Sequence, residues 1–121
     1  MPWNPTVVAE LAAAREIDVL VPAPDLPDVR TPIWVVEIGG ELYVRSWKGD
    51  GGRWYRRAKR YGDGSVVTSA GAHQVHFTPV TDPSLDAAVD DAFRAKYADS
   101  PYSQAMIDPP AAGTTLRLDP A

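Results

Sequence analysis

Residues 33–47 read Ile33-Trp34-Val35-Val36-Glu37-Ile38-Gly39-Gly40-Glu41-Leu42-Tyr43-Val44-Arg45-Ser46-Trp47. Two runs rich in β-branched and aromatic residues flank a Gly-Gly pair. That pattern calls for a hairpin with a two-residue primed turn, whose central positions need positive φ. In this register Ile38 faces Glu41, Val36 faces Tyr43 and Trp34 faces Arg45. Side chains alternate across a strand. Trp34, Val36, Tyr43, Arg45 and Trp47 therefore share one face, and Ile33, Val35, Leu42, Val44 and Ser46 share the other. One face is aliphatic core, and the other sets aromatic rings around a cation.

Upstream, Asn4 caps a helix that Pro5 opens, and Val8, Leu11 and Ala12 form its apolar stripe up to Glu16. Ile17–Val21 reads as a strand. Prolines 22, 24, 27 and 32 make PAPDLPDVRTP a loop. Downstream, Lys48–Gly52 is a loop and Arg53–Tyr61 a short helix stopped by Gly62-Asp63-Gly64. Strands are expected at Ser65–Ser69 and Ala72–Val80, with a turn near Gly71. Asp82 and Pro83 then start a helix to Tyr97. Its residues Leu85, Val89, Phe93 and Tyr97 fall on one stripe, with acids early and bases late. A helical turn near Tyr102–Ile107 and a strand at Thr114–Leu118 complete the chain. Several strands with one or two peripheral helices give an α+β or mainly β fold in a single domain over residues 1–121. Closure into a small barrel removes the exposed edges of such short strands.

The chain has no cysteine. That excludes disulfides and thiolate chemistry, and it fits a reducing cytoplasm, the expected location. No apolar run approaches the roughly 20 residues of a membrane span. The segment MPWNPTVVAEL lacks the charged-then-apolar layout of a signal peptide. A net charge of −4 argues against a general nucleic-acid binder.

Charge is concentrated immediately after the hairpin. Residues 45–60 read RSWKGDGGRWYRRAKR and hold seven of the twelve bases against one acid, Asp50. Trp47, Trp54 and Tyr55 are interleaved with Gly49, Gly51 and Gly52. Basic side chains bind phosphate, glycine admits close backbone approach, and aromatic faces stack on flat rings. The functional reading is a pocket for a phosphorylated, ring-bearing molecule. Ser46, Lys48 and the amides of Gly49 to Gly52 surround the anion, and Arg56, Arg57 and Arg60 add charge from the helix.

The alternatives are a solvated basic surface and, with bases stacked on the aromatics, a local nucleic-acid contact. Trp34, Trp47 and Trp54 can equally be core residues, and Trp34 beside Arg45 can be a cation–π pair. His73 and His76, three apart in a strand, point to opposite faces, which disfavours a shared metal. Asp86, Asp90 and Asp91 read as the solvated side of an amphipathic helix. No Gly-x-Ser-x-Gly, Walker-type loop or Rossmann glycine pattern is present. Any redox chemistry would therefore fall to a bound cofactor.

The segment RTPIWVVEIGGELYVRSWKGDGGRWYRRAKR resembles the central part of the deazaflavin-dependent nitroreductase family, within the FMN-binding split-barrel superfamily. The matching residues are Pro32-Ile33-Trp34, Gly39-Gly40, Leu42-Tyr43-Val44, Lys48-Gly49 and Trp54-Tyr55. The whole chain resembles a bacterial family of unknown function through Tyr43–Ser46, Trp54–Ala58, Lys96-Tyr97 and Thr114–Leu118. The likeness implies a six-stranded split barrel, a homodimer, and FMN or a deazaflavin as cofactor. It also implies a flavin- or deazaflavin-dependent reductase acting on a small organic acceptor. A non-catalytic dimeric binder of an anionic metabolite is the alternative. Joined with the charge pattern, it points to Arg45, Ser46, Trp47, Lys48, Gly49, Trp54, Arg56 and Arg57 as cofactor contacts. Two departures stand out. Trp47 separates Ser46 from Lys48, and PDLPDVR replaces the family's usual basic phosphate motif before the first hairpin strand.

Overall fold

The computed structural model describes residues 3–121. The reading of the N-terminal segment begins on Met1 and Pro2, which lie outside the described residues. Helix α1 (Pro5–Ala13) starts as its sequence dictates, with Asn4 Oδ1 accepting from Thr6 N–H at 2.8 Å. It stops before Glu16 because Ala14 turns to extended backbone. The chain continues through β1 (Ile17–Leu20), β2 (Arg30–Ile33), β3 (Val35–Ile38), β4 (Glu41–Val44) and α2 (Arg53–Tyr61). It ends with β5 (Asp63–Thr68), β6 (Gly71–Pro79), α3 (Pro83–Lys96) and β7 (Leu116–Pro120). One-turn 3-10 helices occupy Gly49–Gly51 and Gln104–Met106.

All paired strands are antiparallel, in the order β2-β1-β5-β6-β7-β4-β3. The sheet has seven strands, not the six expected. The extra one arises because the run expected to form one strand divides at Trp34. Ile33 pairs with Ile17 of β1, whereas Val35 pairs with Val44 of β4. One extended segment thus supplies both edges of the sheet, with Trp34 at the bend, and the sheet curls into a half-barrel. Part of the expected proline loop is therefore strand. Pro32 is tolerated in β2 because an edge position needs no N–H on its outer side.

The hairpin keeps its expected register, with Val36 opposite Tyr43 and Ile38 opposite Glu41. Gly39 and Gly40 have φ of 60° and 87°, the positive pair a primed turn requires. Trp34 and Arg45 lie just past the end of this ladder rather than facing each other within it. Both faces of the hairpin are buried. Val35, Leu42 and Val44 join Leu116 and Leu118 of β7, Leu11 of α1 and Trp54 of α2 inside the half-barrel. Val36 and Tyr43 pack under α3 against Val89, Phe93 and Tyr97. Each fully buried aliphatic side chain contributes about 1.5–3 kcal/mol relative to exposure.

Candidate functional site

The turn leaving β4 is built from its own hydrogen bonds. Gly49 N–H donates to Ser46 O at 2.9 Å, and Ser46 Oγ donates to Gly49 O at 2.8 Å. Ser46 N–H donates to Thr114 Oγ1 at 2.9 Å. Gly51 N–H donates to Lys48 O, and Gly52 N–H to Gly49 O. The glycine amides expected to surround an anion are thus largely spent inside the turn. Gly49 serves packing instead. Its φ is +60°, and a Cβ there would sit 2.7 Å from Pro110 Cβ. Ser46 is buried and holds the turn rather than reaching outward.

What the turn does is aim its neighbours. A cleft of about 660 Å³ opens between β2, this turn and the start of α2. Trp47, Lys48, Arg53 and Arg56 line one side, with Trp34 and Tyr102 also on its walls. Trp47 is 58% exposed and Tyr102 65%, so both rings have free faces. No side chain caps α2, whose first residues Arg53 and Trp54 line the cleft. The first-turn N–H groups of a helix point outward and carry its partial positive charge. The free donors therefore lie one step further along the chain than the glycines.

Of the expected contacts, Ser46, Trp47, Lys48, Trp54 and Arg56 line this cleft, and Gly49 does not. Trp54 is 4% exposed and packs in the core near Phe77, which leaves little of its ring for stacking on a ligand. Arg45 also borders the cleft, yet its guanidinium turns away beneath α3. Its Nε donates to Thr115 Oγ1. Its Nη1 donates to Asp90 Oδ1 and Met106 O, and its Nη2 to Asp86 O and Asp86 Oδ1. A guanidinium has five N–H donors. All are engaged, which leaves none for a phosphate. Arg57 is likewise buried and donates to Val21 O and Pro27 O, which ties α2 to the proline loop. Asp86 and Asp90, read as solvated, are Arg45's partners.

The sequence contained a signal for this. Arg45 is a lone cation on a face otherwise made of Trp34, Val36 and Tyr43, so burial demanded a counter-charge. Asp86 and Asp90, four apart beside the apolar stripe of α3, could supply it. Arg53 was counted in the basic run but not singled out, although it opens α2. Tyr102 lies in a proline-flanked turn with no pattern to mark it.

Among the described residues, the ion-paired bases outside the run are Arg15, Arg30, Arg94 and Arg117. Within residues 45–60 only Arg45 pairs with acids. Glu16 is the one carboxylate on the cleft wall. The histidines sit elsewhere on β6: His76 contacts Asp63 at 2.9 Å and His73 contacts Glu10 at 3.5 Å. Below the cleft, burial and the neighbouring Arg15 hold the Lys96 ammonium down at about 8. Burial pushes the Tyr97 phenol up to about 12.

A curled antiparallel sheet of this order, with a cationic, ring-lined cleft at the start of α2, defines a split-barrel protein. The chain covers 95% of itself and 52% of ChuZ from Campylobacter jejuni at a TM-score of 0.74 and 8% identity. It therefore spans about half the length of that protein. HutZ, the heme storage protein from Vibrio cholerae, aligns over 100% of this chain and 92% of its own, with TM-score 0.73 and 10% identity. An F420 reductase aligns over 100% and 96%, with TM-score 0.58 and 17% identity. At such identities these likenesses establish the fold. Residues 7–118 match DUF2255, described as an uncharacterized protein conserved in bacteria, and the chain belongs to that family. Among curated proteins, none matches the sequence.

Proposed function

We propose that this protein binds a flavin-type cofactor, FMN or a deazaflavin, in the cleft between β2 and the start of α2, and uses it to reduce a small organic acceptor. One observation carries the reading: Lys48, Arg53 and Arg56, unpaired with acids among the described residues, line the same cleft as the exposed face of Trp47 and an uncapped helix start. The cleft volume falls in the range of about 300–1,000 Å³ typical of small-molecule sites. When bound, such a ring supplies hydride or electron transfer. The chain's part is to clamp the phosphate with Arg53, Arg56 and the first N–H groups of α2, and to stack the ring on Trp47. Trp34 and Tyr102 keep water from the ring. Neither histidine lines the cleft, which separates this reading from iron ligation by imidazole.

The same wall favours a second reading. With Glu16 its only carboxylate, the cleft offers little acid–base machinery. A non-catalytic holder of an anionic, ring-bearing metabolite fits that as well.

Titration of the purified chain with FMN, a deazaflavin and riboflavin, followed by absorbance and fluorescence, tests the proposal. FMN is expected to bind more tightly than phosphate-free riboflavin by about tenfold, the scale of one charge-assisted hydrogen bond. Arg53→Gln with Arg56→Gln is expected to erase that margin. Reduction of the bound ring by a nicotinamide donor distinguishes enzyme from holder. A chain that ignores all three compounds ends the cofactor reading.

A further inference from the structure

A second, more open depression of about 920 Å³ lies beside the cleft along α2. Arg53 and Arg56 line both, so they form a shared ridge. Beyond the ridge the second depression is lined by Lys59, Arg60 and the partly exposed ring of Tyr61, over which the Arg60 guanidinium lies at 5.5 Å, and by the exposed Leu26. Asp50 is its one acid.

Helix α2 reads RWYRRAKRY, with five bases and no acid in nine residues. Arg53, Arg56, Lys59 and Arg60 are all exposed, and none forms an ion pair among the described residues. They recur at spacings of three and four, where like charges repel along a helix surface. A solvated helix ordinarily interleaves acids at those spacings, and this chain has acids to spare, sixteen against twelve bases. Most of its other bases are matched to a carboxylate. The unneutralised set is thus concentrated on one helix, with Lys48 just before it, and borders two adjoining hollows. A single phosphate on Arg53 and Arg56 would leave Lys59 and Arg60 without an anion.

We propose that the second depression receives a second anionic group of the cleft's own ligand. The ligand class is then a planar ring carrying a tail with two or more negative charges, of dinucleotide type. The first anion rests on Arg53 and Arg56, the next on Lys59 and Arg60, and a terminal ring lies against Tyr61 and Leu26. This rests on the reading that the cleft takes a flavin-type ring.

The test compares FMN, FAD and inorganic pyrophosphate on the full chain and on Lys59→Gln/Arg60→Gln, both exposed positions whose change leaves the core intact. FAD is expected to bind wild type about tenfold more tightly than FMN. The double variant is expected to remove that advantage and leave FMN affinity unchanged. Equal wild-type affinities, or a variant that weakens FMN and FAD alike, overturn the proposal. So does a single-stranded oligonucleotide that displaces FAD. If neither flavin binds, the cofactor reading fails on its own, and pyrophosphate decides the site. Thermal stabilisation by pyrophosphate that the double variant loses upholds the polyanion hollow, and stabilisation that is absent or unchanged removes it.

Discussion

The indole of Trp34 lies flat on the ring of Tyr97, with centroids 3.8 Å apart and planes within 6°. Trp34 is the residue at which one edge strand becomes the other. The Tyr97 hydroxyl accepts from Val35 N–H at 3.2 Å and donates to Arg15 O at 2.8 Å. The last residue of α3's apolar stripe thus fixes both the ring and the backbone at the bend. Tyr97→Phe, which removes the acceptor of a buried N–H, is expected to cost about 1–3 kcal/mol. Trp34→Ala is expected to cost less than the roughly 3–5 kcal/mol of a fully buried aromatic ring, because the indole is only partly buried. A double-mutant cycle of Trp34→Ala with Tyr97→Leu, which removes the ring, should return a coupling of about 0.5–1.5 kcal/mol from urea melts. Strict additivity would show that the stack is incidental.

Arg45 is expected to be structural. Arg45→Ala strands Asp86 and Asp90 without their cation, at a cost of about 3–5 kcal/mol, whereas Arg45→Met, which refills the space, should cost less. Chemical denaturation measures both. Asp86→Asn with Asp90→Asn should destabilise in the same direction. A variant at Arg45 that remains fully stable but loses ligand affinity would return this residue to the binding site.

Gly49→Ala forces a Cβ onto Pro110 at a positive φ. Strain of about 1–3 kcal/mol is expected. Because Gly49 organises the turn that carries Trp47 and Lys48, ligand affinity should fall together with melting temperature. Gly40→Ala, with nothing within 4 Å of its Cβ, is the control for backbone strain without collision. Equal effects at the two positions would remove the role assigned to Pro110.

Lys96 should make stability climb with alkali. Its ammonium is held at about 8 in the folded chain against an ordinary 10.5, by burial and then by Arg15. Between those values the unfolded chain binds more protons, so folding becomes more favourable as pH rises. Tyr97 acts in reverse. Its phenol, pushed from 10.0 to about 12, keeps its proton longer when folded, so stability falls once pH passes about 10. Urea midpoints are expected to rise from pH 8 to about 10 and then decline. Lys96→Met should flatten the rise. A wild-type midpoint that only falls over that span would contradict the placement of the ammonium against Val35 O at 2.6 Å.

Much of this fold was legible in local patterns. The Gly39-Gly40 hairpin, the Asn4 and Asp82 caps and the Leu85–Tyr97 stripe each follow from a few neighbouring residues, and the structure places them as read. The division at Trp34 was not legible. Pairing Ile33 with Ile17 and Val35 with Val44 is a tertiary choice, and nothing in the run itself separates one strand from two. At the site, the cluster of cations was visible but their directions were not. Arg45 and Arg57 point inward while Arg53 and Arg56 point outward, and only the placement of α3 and the proline loop decides which is which.

Strand β7 lies between β6 and β4, and its Leu116 and Leu118 fill the middle of the barrel. A chain growing from its N-terminus therefore carries two half-satisfied strands, β4 and β6, until Leu116–Pro120 has been added. Bare edges of that kind invite pairing with another molecule. Deleting β7 should thus yield insoluble material rather than a smaller working protein, and quality control during synthesis bears on this barrel at the moment when that strand has to insert.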